Sequence, residues 1–282
     1  MSQPAPAPRD NVISLQSISR KYFTALQRQH DLMAFNLAGL QTADPKAYDH
    51  FSGLSRIMPL PQAHLPASQM QAFARGLMLR TTINDLLVLS VECMVDCHHL
   101  CLFVRHCGHN KQPGKELIEK VEKDHQAFAR MNLQEKFETL EETFGIVCDL
   151  EDGVFSLAAA LRVLSRGGMV TNDDIAPDGS LTLEFKSMQD FEVPVESKEE
   201  TSSESAAPEG VVRHPIGDVL HTRTRTIARL VDTTRTFKPG AVLELTDAEL
   251  LGLNITVAKF VDGLMKSVDF YAKNQLGEGK GS

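Results

Sequence analysis

From Ser14 onward, apolar residues return every three or four positions: Leu15, Ile18, Tyr22, Leu26, Met33, Leu37 and Leu40. That spacing gathers them on one side of a helix, so residues 12–41 read as an amphipathic helix. The stretch before it, MSQPAPAPRDN, has too few apolar groups to pack and is expected to be a disordered tail over 1–11. A Pro-marked break, PLPQAHLP at 59–66, precedes a long helical run from about 68 to 107.

KQPGK at 111–115 makes the next turn, through Pro113 and Gly114. A charged helix over 115–144 follows, with Leu117, Val121, Phe128, Leu133, Phe137, Leu140 and Phe144 as its apolar side and Gly145 as its C-cap. A further helix over 153–166 carries Val154, Leu157, Ala158, Leu161 and Leu164 and stops at Gly167 and Gly168.

PDGS at 177–180 then turns into LTLEF at 181–185, whose alternation is that of a strand. Short strands near 181–195 and 241–245 would form a small β appendage. The rest of 191–245 reads as irregular, and VESKEETSSESAAPEG at 195–210 as an acidic, Ser-rich flexible loop. Thr246-Asp-Ala-Glu249 is a capping-box pattern. It opens a last helix over 246–274, with Leu250, Leu253, Val257, Phe260, Leu264 and Val268 as its packed side. There is no internal repeat. The expected fold is therefore mainly α, a helical bundle over 12–190 with a small β appendage, closed by the C-terminal helix.

Composition sharpens that picture. Hydrophobic residues are 42% of the chain, enough for a core, but Trp is absent and aromatics are only 6%, so aliphatic side chains must fill it. The net charge of −8 gives no global field for nucleic acid, and any such contact needs a local basic patch. Five cysteines, at 93, 97, 101, 107 and 148, argue by their odd number and tight cluster against a secreted disulfide framework. With no signal-like N-terminus and no uncharged apolar run of 18 residues, a cytoplasmic protein without a membrane segment is expected.

The chemistry-bearing stretch is CMVDCHHLCLFVRHCGHN at 93–110. Cys93, Cys97 and Cys101, four residues apart, share one side of a helix, and free cysteine is commonly a small buried hydrophobe. A metal site would draw on the Cys97–Cys101 or His98–Cys101 pairs, yet no second pair exists elsewhere to complete it, so no metal and no cofactor are expected. A nucleolytic reading would use Arg105 and His109, one turn apart, with Asn110 beside them: histidine as general acid or base toward RNA, arginine on the phosphate. The same two residues also suit the negative end of a helix dipole.

The second half of the chain resembles a known group. MNLQEKFETLEETFGI (131–146), LAAALRVLSRGGMVTNDDIAPDGSLTLEF (157–185) and FKPGAVLELTDAELLGLNITVAKFVDGL (237–264) are similar, in that order, to bacterial HEPN-like proteins. The resemblance implies a helical bundle, often dimeric, of an RNA-cleaving or RNA-binding kind. In that group a helix bears an Arg and, a few residues on, a His, ahead of a Gly-Gly pair, an Asp-Gly turn and a strand. Aligned on RGGMV at 166–170, this chain has Ala160 in place of the Arg and Ser165 in place of the His.

The resemblance thus implies a catalytically degenerate protein that binds RNA or a protein partner. Arg162 and Arg166 remain as phosphate-binding candidates. The alternatives are a metal-independent ribonuclease using Arg105 and His109, and a structural or dimer-forming helical protein. HTRTRTIARLVDTTR at 221–235 sets Arg223, Arg225, Arg229 and Arg235 against one acid, Asp232. Without an aromatic stacking platform it reads as a solvated, partly regular segment facing the acidic loop.

Overall fold

A computed structural model describes residues 14–53, 65–108, 114–194 and 224–277. Among them run helix α1 (Leu15–Thr42), α2 (Pro45–Gly53), α3 (Ala67–Cys107), α4 (Lys115–Arg130), α5 (Leu133–Phe144) and α6 (Glu151–Ser165). A 3-10 turn (Asn172–Asp174), strands β1 (Leu181–Pro194) and β2 (Thr224–Phe237), and helix α7 (Asp247–Gln275) complete the chain. The fold is mainly α with one small antiparallel sheet, as the hydrophobic pattern predicts.

The long helices α1, α3 and α7 pack against one another and form the centre of the bundle. Their facing stripes are buried: Ile18, Tyr22, Leu26, Met33 and Leu37 from α1, Leu79, Ile83, Leu86 and Met94 from α3, and Leu253, Val257, Phe260 and Leu264 from α7. A capping box starts α1, where Ser14 and Ser17 exchange side-chain to backbone hydrogen bonds of 3.1 and 3.2 Å. The box foreseen at Thr246 and Glu249 starts α7, with bonds of 3.2 and 2.7 Å. By length and composition α3 would also serve to cross a membrane, with a mean hydropathy of 1.7 over 18 residues.

The expected helix over 115–144 is two helices. Asn132 accepts from the Glu135 amide at 3.0 Å while Glu135 accepts from the Asn132 amide at 2.8 Å, so a new capping box restarts the chain as α5. Buried Lys136 reaches back from α5 to the carbonyls of Ala129 and Met131, closing the end of α4. Helix α2 is an element that the periodicity left out, too short to show it.

The sheet also departs from expectation. β1 pairs along its whole length with β2, from Leu181 opposite Phe237 to Pro194 opposite Thr224, and not with 241–245. The latter segment joins the fold at the Met169–Val242 bridge, through backbone hydrogen bonds from Val170 to Ala241 and from Leu243 to Gly168, by Arg75 of α3 donating to the Leu245 carbonyl at 2.8 Å, and by the buried side chains of Leu243 and Leu245. Residues 191–245 are therefore not irregular throughout, since 224–237 is a strand. The Thr, Ile and Val of TRTIARLVDTTRTF suit a pleated surface, and the arginines among them hid that alternation. The tail over 1–11 and the loop over 195–210 lie outside the described residues.

One face of β1 (Leu181, Leu183, Phe185 and Ser187) lies buried on α6 and α7. Its unpaired edge is closed by helix hydroxyls. The amide of Glu184 donates to Ser156 Oγ of α6 and the amide of Lys186 to Thr256 Oγ1 of α7, both at 2.8 Å. Glycine makes this approach possible: a β-carbon on Gly153 would meet the Thr256 methyl at 2.9 Å, and one on Gly252 would overlap the Lys186 carbonyl.

Candidate functional site

Cys93, Cys97 and Cys101 turn inward along α3 and are completely buried. A hydrogen bond with Cys93 and burial hold the Cys97 thiol well above its ordinary pKa, and burial does the same to Cys101. Burial and Glu151 push Cys148 up to about 12. None of Cys97, Cys101 and Cys148 is a ready nucleophile or metal ligand, because both roles need the thiolate. Cys107, half-buried at the end of α3, is the most accessible thiol.

The histidines of the same stretch have a partner that sequence reasoning missed. His98 and His99 of α3 meet His125 of α4 in a stacked cluster, with ring centres 4.0 Å apart for His99 and His125 and 6.4 Å for His98 and His125. His98 lies flat on Phe128 of α4 at 3.8 Å and edge-on to Phe144 of α5 at 5.5 Å. The signal was present: His99 and His125 stand equally far on either side of residue 112, in the KQPGK turn, as facing residues of a helical hairpin do.

The cluster is short of partners. The Nδ1 atoms of His98 and His125 are buried without a hydrogen bond, and His99 has Glu122 at 4.0 Å. Burial, then His125 and His99, bring the His98 pKa down to about 3. Burial and His125 outweigh Glu122 and Asp96 and lower His99 as well. The rings of His99 and His125 are only 14° from parallel, so their planes share no point within bonding distance of both nitrogens. Among the described residues no group of His, Cys, Asp and Glu is arranged to hold a metal ion.

Arg105 is exposed beyond this cluster, its guanidinium carbon 5.9 Å from the centre of the Phe144 ring. His109 and Asn110 lie outside the described residues.

Arg162 and Arg166 do come together. Both guanidinium groups reach the carboxylate of Asp174, Arg162 Nε at 3.3 Å and Arg166 through a close ion pair. The Asp174 side chain is wholly buried and also accepts from the Thr171 amide at 2.9 Å and hydroxyl at 2.8 Å. Burial alone would raise its pKa; the Thr171 bonds and the two arginines outweigh it and leave the carboxyl below its usual range. Much of each arginine still faces water. Ala160 is buried in α6 and Ser165 is exposed at its end, so the two aligned positions do not share an environment.

The strand arginines are spread along β2. Arg235 pairs with Glu249 of α7 at 2.8 Å, Arg229 is exposed, and the side chains of Arg223 and Arg225 lie outside the described residues.

Large apolar side chains stand on the outer surfaces of the first three helices. Phe35 of α1 is 75% exposed and Phe73 of α3 is 63% exposed, with Leu32, Phe51, Leu77 and Val88 also in water. On α3, Phe73, Leu77 and Val88 recur at helical spacing on the side opposite Leu79, Leu86, Cys93 and Cys97. Comparison with family models, with curated proteins and with solved structures finds no match to this chain.

Proposed function

We propose that this protein acts by association and not by chemistry, as a HEPN-like helical bundle whose apolar outer surface on α1 and α3 binds a second copy of the chain. The observation that carries this reading is the exposure of Phe35 and Phe73 on helices whose opposite sides already form the core. Large apolar side chains left in water beyond what a core needs are a common mark of an interaction site. The absence of Arg and His at 160 and 165 agrees with a role without catalysis, and the HEPN-like resemblance supplies the dimer.

Light scattering behind gel filtration tests it. The parent chain is expected at twice 31.1 kDa and a Phe35→Glu/Phe73→Glu variant at 31.1 kDa, with unchanged helix content by circular dichroism. A monomeric parent would overturn the reading.

A second reading, RNA binding, rests on Arg162 and Arg166, which Asp174 holds side by side with their outer edges in water. It predicts salt-dependent retention of an RNA pool in EDTA, lost in Arg162→Glu/Arg166→Glu. Cleavage of that pool by the parent, and not by Arg105→Ala/His109→Ala, would instead make the protein a metal-independent ribonuclease.

A further inference from the structure

The histidine cluster seats α4 on the bundle through a ring, His98, that is buried with a bare nitrogen. Helix α4 buries only Val121 and Phe128 among its own side chains. Phe128 lies on His98 and His125 lies on His99, so the two α3 histidines make up much of its seat. A neutral imidazole tolerates a buried bare nitrogen at modest cost. A protonated one carries an N–H at both positions, and on His98 the Nδ1 proton would find no acceptor.

The neighbours do not relieve that charge. From α3 itself, Asp96 acts on His99 and not on His98, and Arg105 is cationic. From α4, Glu122 stands 4.0 Å from His99 and His125 adds a third imidazole. From α5 come the apolar Phe144 ring and the Lys136 ammonium, 5.6 Å from the centre of the Phe128 ring. From α7, Tyr271 packs edge-on to Phe144 at 5.3 Å.

We propose that the stack of His98, His99 and His125 is an acid-sensitive latch, which holds α4 on α3 at neutral pH and releases it when His98 and His99 take up protons, uncovering His98. The direction follows from the depressed values. A histidine that stays neutral when docked but takes a proton near pH 6.5 when freed favours the docked state above that pH, and loses the advantage progressively below it. At pH 5.5 one such group raises the open population roughly tenfold over that at pH 7.5.

Hydrogen exchange of the full chain, followed by mass spectrometry at pH 7.5 and 5.5 and scaled for the intrinsic exchange rate, reads this directly. Peptides from 115–130 should open about tenfold or more at the lower pH, while peptides from α1 and α7 keep their protection. His98→Phe, which preserves the stack on Phe128, should remove most of the acid response. His125→Gln, at a half-buried position, should weaken it without disturbing the core. Equal protection of α4 at both pH values, a full response surviving in both variants, or loss of α1 and α7 together with α4 would each overturn the latch.

Discussion

Gly252 of α7 sits directly against the Lys186 carbonyl of β1, with no room for a side chain between helix and strand. Gly252→Ala must therefore push α7 off the sheet, at a cost of about 1–3 kcal/mol or somewhat more, since the obstacle is backbone. Gly263, on the same helix, would direct a β-carbon into open space. Gly263→Ala should stabilise the protein by roughly 0.5–1 kcal/mol through helix propensity alone. Urea denaturation of the two variants should move in opposite directions from the parent.

Asp174 makes a second, pH-dependent prediction. Its carboxylate is docked with a lowered pKa, so its contribution is present above the ordinary carboxylate range and is lost as the pH falls through and below about 4. Asp174→Asn keeps the shape but removes the charge that holds Arg162 and Arg166. About 1–3 kcal/mol of stability should be lost at pH 7, and part of the acid sensitivity below pH 4 should go with it. If the variant matched the parent at pH 7 in chemical denaturation, the ion pairs around Asp174 would be incidental.

The buried thiols give a kinetic test of the bundle. Under native conditions at pH 8, iodoacetamide should modify Cys107 first. Cys93, Cys97 and Cys101 should react on the order of a hundredfold more slowly, since their reaction waits on an opening of α3. Peptide mapping over time distinguishes the sites. Modification of Cys97 at the rate of Cys107 would mean that the α3 stripe is not sealed.

How far the sequence disclosed these features depended on the range of the signal. The long helices were legible because Leu253, Val257, Phe260 and their counterparts repeat over many turns, and the Thr246–Glu249 box is local. The division at Asn132 was passed over: the five-residue step from Phe128 to Leu133 breaks the phase of the apolar side, but no Pro or Gly marks the break and every flanking residue is compatible with a helix. β2 was obscured by Arg225, Arg229 and Arg235, which read as a solvated patch until Arg235 finds Glu249. The cysteine stripe was assigned to the core from its spacing and from the usual burial of free cysteine. The histidine cluster was not found, because it exists only once α4 folds back on α3.

The edge of β1 supplies the last prediction. Glu184 and Lys186 each aim an amide away from β2, and each finds one hydroxyl, Ser156 Oγ or Thr256 Oγ1. Thr256 is buried and spans to the Gly252 carbonyl of its own helix at 2.9 Å, so it serves as acceptor to the strand and donor to the helix at once. Thr256→Val retains the shape and strands the Lys186 amide, at about 1–3 kcal/mol. Ser156→Ala should cost somewhat less, with less volume to keep and the same single bond to lose. Thr256→Ser restores the hydroxyl and should recover most of the loss, apart from the buried methyl that packs toward Gly153. Thermal unfolding of the three variants checks the order. If Thr256→Val were as stable as the parent while Thr256→Ser were not, packing of the methyl, and not closure of the strand edge, would be what holds β1 to α7.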